Sequence, residues 1–180
     1  MGLIADSIHI YEELRQHSFT IKAEGGMVFS FSFLPENYHH LAGFQHLADV
    51  AGIAEPRFGS GRFYRLAKSG KINEAVVTNS VFFARIEDRL KSFAEIKNIL
   101  YHSNEMIVDF DPSLAQSDIA ADFFLYRWDG DLLKGRYTYY HLFLGHDQAT
   151  GIYYPATYIV EPTKQYISGQ KMLTCEIIIQ

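Results

Sequence analysis

The hydrophobic pattern of this chain changes period once, near Asn104, and that change limits the folds open to it. Before that point apolar residues recur at helical spacing. Ile4, Ile8, Tyr11 and Leu14 predict a helix over Ile4–His17, and Phe82, Ile86, Leu90, Phe93, Ile96 and Leu100 predict a long continuous one over Val81–Tyr101. Beyond Asn104, the runs Glu105–Phe110, Ile119–Trp128, Gly135–Leu144, Tyr153–Val160 and Lys171–Ile179 read as strands, rich in β-branched and aromatic residues. Asp129-Gly130-Asp131 predicts the turn between two of them, and Gly145 to Gly151 a polar connection between another two. One excursion interrupts the helical half. Phe19–Ala23 and Met27–Leu34 flank Gly25-Gly26, and Phe29, Phe31 and Phe33 alternate with Ser30 and Ser32, which is the signature of a β-hairpin.

The expected fold is therefore α+β, with N-terminal helices and a β-hairpin packed against a C-terminal antiparallel sheet of about four to five strands. A length of 180 residues fits a single domain, 1–180, with a helix-rich half 1–103 and a strand-rich half 104–180. No repeat, low-complexity tract or linker divides it. Arg57–Lys71 reads as a short helix between glycine turns. Within it Gly59-Ser60-Gly61-Arg62 follows no strand and lacks a nucleotide fingerprint, so turn chemistry explains it better than a phosphate loop does.

Composition narrows the chemistry. A formal charge of −5 argues against a strong nonspecific grip on a long polyanion, which needs clustered Lys and Arg, but leaves room for a local basic cleft. Cys175 is the single cysteine, so an internal disulfide and thiolate zinc motifs are excluded, and its apolar strand predicts inert filling. The N-terminus has no basic segment leading into an apolar run. No apolar stretch reaches the roughly 18 residues of a membrane span, so a cytoplasmic protein that avoids the membrane is expected. The 12 Tyr and 14 Phe exceed what is usual; most should fill the core, and some could stack on bases.

The densest chemistry lies in Asn37-Tyr38-His39-His40-Leu41-Ala42-Gly43-Phe44-Gln45-His46-Leu47. Laid on a helix with Asn37 as its N-cap, Leu41, Phe44, Leu47, Ala48 and Ala51 form one stripe, and His40 falls inside it. His39 and His46 fall on the polar side. His40 is thus expected to be enclosed by protein and the other two to meet solvent. Arg89 lies close to the apolar stripe of the long helix, where a cation must snorkel out, pair with a carboxylate or face a cleft.

These residues fit some chemistries better than others. His39, His40, His46, His141 and His146 include no pair at metal-binding helical spacing, so no metal or other cofactor is expected. A serine triad lacks its Gly-x-Ser-x-Gly elbow. Metal-independent RNA cleavage asks for less: a group that withdraws the 2′-hydroxyl proton, one that protonates the leaving oxygen, and a cation or several donors for the phosphorane charge. His40, Arg89 and the late polar aromatic set Tyr137, Thr138, Tyr139, Tyr140, His141, Thr157 and Tyr158 supply such groups.

The Tyr38–Leu47 run, followed by Ile86-Glu87-Asp88-Arg89-Leu90-Lys91-Ser92-Phe93 and then Ile119-Ala120-Ala121-Asp122-Phe123-Phe124-Leu125, resembles the fourth phage-associated family of nucleases in the barnase, EndoU, colicin and RelE superfamily. In that alignment His40 matches the family histidine, Gly43 its glycine, Arg89 its helical arginine and Asp122 the acid before an apolar strand, while His39 stands where the family usually has a second aromatic. The resemblance implies RNase chemistry of phage or prophage origin, with tRNA or mRNA as substrate. Under this reading His40 is the general acid or base, Arg89 holds the phosphate, and a hydroxyl from Thr157 or Tyr158 orients it. His39, His46, Arg62 and Lys164 are the expected substrate contacts. The competing expectations are a nuclease fold kept as a binding module that docks a phage or host protein, and a small-molecule enzyme with a Tyr-lined pocket.

Overall fold

The computed structural model describes residues 2–55, 59–131 and 136–180. Helix α1 (Leu3–Leu14) begins the chain and buries Ile4, Ile8, Tyr11 and Leu14, the residues whose spacing predicts it. Strands β1 (Ser18–Ala23) and β2 (Val28–Ser32) then pair as the expected antiparallel hairpin across Glu24–Gly26. Five further α-helices among the described residues precede the strand-rich half: α2 (Tyr38–Leu41), α3 (Ser60–Lys68), α4 (Glu74–Val77), α5 (Ala84–Lys91) and α6 (Glu95–His102). Strands β3 (Glu105–Val108), β4 (Phe123–Asp131), β5 (Arg136–Asp147), β6 (Ile152–Glu161) and β7 (Lys171–Ile179) follow.

The α+β class is as expected, but the sheet is larger than four to five strands. All seven strands join in one closed barrel, in the order β1-β2-β6-β5-β4-β3-β7, with β1 and β7 antiparallel at the closure. The hairpin is part of that sheet rather than a separate layer. The pairing of β2 with β6 is parallel and consists of Phe31 opposite Tyr153. Alternation along the strands divides the core in two. Phe19, Ile21, Phe29, Phe31, Met106, Leu125, Leu142 and Tyr158 share one large cluster with the apolar stripes of α1, α5 and α6. Phe124, Phe143 and Ile107 point the other way into a smaller cluster, which Phe110, Ile119 and Tyr166 cover.

Three local expectations are corrected. The helix over Val81–Tyr101 is two helices, because the Ser92 side chain back-bonds to the Asp88 carbonyl at 2.6 Å while the Ser92 carbonyl accepts from the Tyr158 hydroxyl at 2.9 Å. The stripe nevertheless stays buried through Ile86, Leu90, Phe93, Ile96 and Leu100. Asp129-Gly130-Asp131 is strand, not turn, opposite Thr138, Tyr137 and Arg136; a Cβ on Gly130 would press on the Tyr137 ring. The connection itself falls at 132–135, outside the described residues. The polar connection after Gly145 starts late, since β5 runs on through Asp147. A register shift at Phe143/Leu144 accommodates Pro155 in β6, a residue that lacks the N–H a regular ladder would use.

Phe31 closes the barrel and stacks on Phe19 at 5.5 Å between centroids. Replacing Phe31 with Ala should lower stability by about 3–5 kcal/mol, read as a shift of the urea unfolding midpoint.

Candidate functional site

The histidine segment does not form the helix its periodicity predicts. Asn37 is not a side-chain cap: its Oδ1 turns back to accept the Leu34 N–H at 2.8 Å. Helix α2 then ends after one turn, because Gly43 enters the left-handed region at φ 83°, and a 3₁₀ turn over Phe44–His46 follows. This break inverts the expected burial. His39 is 1% exposed, donates from Nε2 to the Ile53 carbonyl at 2.7 Å and meets the Phe63 ring edge-on. His40, expected inside, is exposed, and His46 is half-buried. His39 is thus the packed core histidine, and His40 the accessible one.

Gly43 also sets the position of Arg89. A Cβ at Gly43 would lie 3.0 Å from Ile86 Cγ2 and 3.1 Å from Arg89 Cδ, so the arginine stem passes directly over bare backbone. From there the guanidinium donates from Nη1 to Thr157 Oγ1 and from Nη2 to His46 Nε2, each at 3.4 Å. Gln45 Nε2 points at the same His46 nitrogen from 3.4 Å. With two donors at Nε2, the neutral ring carries its proton on Nδ1. Among the described residues no carboxylate pairs with Arg89. Its surroundings are enclosed enough for burial to draw its pKa down, although a guanidinium stays charged in any protein.

The electrostatics favour neutral imidazoles. Burial lowers the pKa of His40, and burial, Arg89, Arg85 and His40 lower that of His46. Arg85 sits one turn before Arg89 with its guanidinium 4.6 Å over the Phe82 ring, so a second cation contributes to the field. The sequence reading passed over Arg85 and Gln45. The i, i+4 spacing of Arg85 and Arg89 on one helix is the signal that would have found Arg85.

The other expected residues divide. Thr157 belongs to the group through Arg89. Tyr158 lies beside it in sequence but faces the opposite side of β6, fully buried, with its hydroxyl engaged by Ser92 and its pKa raised by that burial. Arg62 is exposed on α3, next to the Phe63 that packs on His39. Lys164 lines a separate aromatic groove with Trp128 and Tyr137. Asp122 is exposed ahead of β4, where its backbone bonds to Phe110 and Leu144. Among the described residues no three His, Cys, Asp or Glu side chains are grouped to hold a metal ion, and no helix is long and apolar enough to cross a membrane.

His40, Gly43 and Arg89 are the three positions on which the resemblance in the sequence depends; the structure lays the Arg89 stem over Gly43 and sets His46, not His40, against the guanidinium. The family model described as phage-Barnase-EndoU-ColicinE5/D-RelE like nuclease4 matches residues 3–175. The chain belongs to this family. The match takes in both the helix-rich half and nearly all of the barrel, so the phage-associated nuclease-like fold of the family applies to the domain as a whole. No curated protein and no solved structure matches the chain.

Two substitutions separate the local roles. Gly43→Ala adds strain at positive φ and a clash with the Arg89 stem, and should cost about 1–3 kcal/mol in thermal unfolding. Tyr158→Phe removes the bond that holds Ser92 and should cost about 1–3 kcal/mol, measured the same way.

Proposed function

We propose that this member of the nuclease family is a metal-independent endoribonuclease or RNase-like toxin of phage or prophage origin, acting on tRNA or mRNA. The observation that carries the reading is Arg89: a largely enclosed cation with no carboxylate partner among the described residues, held by Gly43, His46 and Thr157. A phosphate diester supplies the missing negative charge, and a guanidinium matches its geometry with two parallel donors.

In this mechanism His40 takes the proton from the ribose 2′-hydroxyl, the 2′-oxygen forms a bond to phosphorus, and the bond to the 5′-oxygen breaks. The products are a 2′,3′-cyclic phosphate and a free 5′-hydroxyl. His46, the second accessible imidazole of the segment, takes up a proton from solvent once the bound phosphate offsets the charge of Arg89, and the resulting imidazolium passes that proton to the leaving oxygen. Arg89 stabilises the phosphorane, and the Thr157 hydroxyl holds the guanidinium in place. The lowered pKa of His40 favours a base that is already unprotonated at neutral pH.

Incubation of the purified protein with total RNA should give cleavage that persists in EDTA. Arg89→Ala should reduce kcat/KM by about 10²–10³-fold, and His40→Gln by about 10²–10⁴-fold. Equal cleavage by His40→Gln and the wild type would remove His40 from the mechanism. The acid limb of the kcat/KM profile should lie below pH 6.5, the ordinary histidine value, because a depressed pKa keeps the base active to lower pH.

A further inference from the structure

The second face of the barrel carries a groove that the mechanism above does not use. It measures about 530 Å³ and is lined by Tyr126, Trp128, Tyr137, Tyr139 and Lys164, among others. Its aromatic residues come from one side of two adjacent strands: Trp128 lies opposite Tyr139 and Gly130 opposite Tyr137 in the β4–β5 ladder. Tyr139 forms the buried floor, and the rings beside it are accessible. Trp128 is 47% exposed and meets the Tyr137 ring edge-on at 5.9 Å, with Tyr139 next in the row.

We propose that this groove binds unpaired nucleotides of single-stranded RNA, with bases stacked on Trp128 and Tyr137 and the backbone phosphate held by Lys164. Aromatic side chains tolerate any base, because each base offers a π face, and a nearby cation tracks the phosphate. Lys164 Nζ has no acidic partner among the described residues, although the chain as a whole is acidic. On the other side of the Trp128 ridge lies a polar depression that Arg127 and His102 line together with Glu105, whose carboxylate already accepts the Tyr126 hydroxyl at 2.6 Å. Arg127 there already pairs with Glu95 at 3.7 Å, which leaves Lys164 as the cation at the groove able to meet a phosphate.

The groove also lies where a substrate would extend. Thr157 is paired with Phe143, Ile159 with His141 and Glu161 with Tyr139, so these alternate residues of β6 share the groove's face of the sheet. From Thr157, at the Arg89 site, to Glu161, just before the groove-lining Pro162, Thr163 and Lys164, the strand advances about 13 Å. One flexible RNA strand therefore reaches both places. The proposal rests on the ribonuclease reading for the identity of its ligand, and treats the groove as a second contact that grips the substrate away from the scissile bond.

Trp128 is the only tryptophan of the chain, which makes it a built-in reporter. A short 2′-O-methyl oligoadenylate, which cannot undergo 2′-hydroxyl attack, should quench its fluorescence saturably. Tyr137→Ala and Lys164→Glu, each checked for folding by circular dichroism, should weaken that binding about five- to hundredfold. In both variants the loss of binding should grow with oligonucleotide length, being larger for a strand long enough to reach the groove than for a dinucleotide. His40→Gln should bind the oligonucleotide with unchanged affinity. Absence of quenching, unchanged affinity in both groove variants, or saturable quenching by an oligosaccharide or a proline-rich peptide and not by the oligoadenylate would overturn the groove assignment. A protein that binds the oligonucleotide through the groove yet cleaves no RNA would instead count against the ribonuclease reading alone.

Discussion

The bond between Tyr158 and Ser92 joins the two halves of the chain, and the placement of the site depends on it. The Tyr158 hydroxyl, brought to the inner face of β6 by strand alternation, donates to the Ser92 carbonyl. That carbonyl also accepts the Glu95 N–H at 2.8 Å, and the apolar stripe from Phe82 to Leu100 is carried by two helices, α5 and α6, that meet around Ser92. Arg89 lies in the last turn of α5, three residues before Ser92, and reaches Thr157 from there. The fully buried tyrosine thus acts on the candidate site through geometry, while its neighbour Thr157, on the opposite face of the strand, meets the arginine directly.

Much of the fold was legible because burial and period agree locally. The strands after Asn104 follow from their β-branched and aromatic runs, and the Phe29-Phe31-Phe33 alternation identified the hairpin and its buried face. What sequence pattern does not contain is strand order. The hairpin joins the late strands through contacts distant in sequence, so a seven-stranded barrel could not be separated from a smaller sheet beside a hairpin. Gly130 illustrates a different limit. Asp-Gly-Asp has strong turn chemistry, but a cross-strand tyrosine uses the space left by the missing Cβ, and tertiary contact overrides the local preference.

The candidate site was legible in its members more than in its arrangement. Arg89 stood out as a cation near an apolar stripe, and the structure brings it together with Gly43, His46 and Thr157. The histidines were assigned the wrong exposures because a helical wheel assumes a helix, and α2 lasts one turn before Gly43 reverses the backbone. Gly43 itself was the clue. A residue that permits both positive φ and close approach of an arginine serves two purposes at once, and a wheel drawn through it rotates every later side chain to a false position.

The seam of the barrel gives this arrangement a further meaning. Six of the seven strand junctions are antiparallel ladders, whereas β2 meets β6 through one parallel pair. Backbone groups on both sides of that pair depend on something other than the ladder to shield them. Helix α2 follows β2 directly and packs on β6, so the segment that presents His40 is also the cover of the seam. Accessible chemistry and closure of the wall are vested in the same short turn of chain. Mobility gained there for the sake of substrate would be drawn from the integrity of the barrel, which gives this turn less freedom to vary than its exposed position suggests.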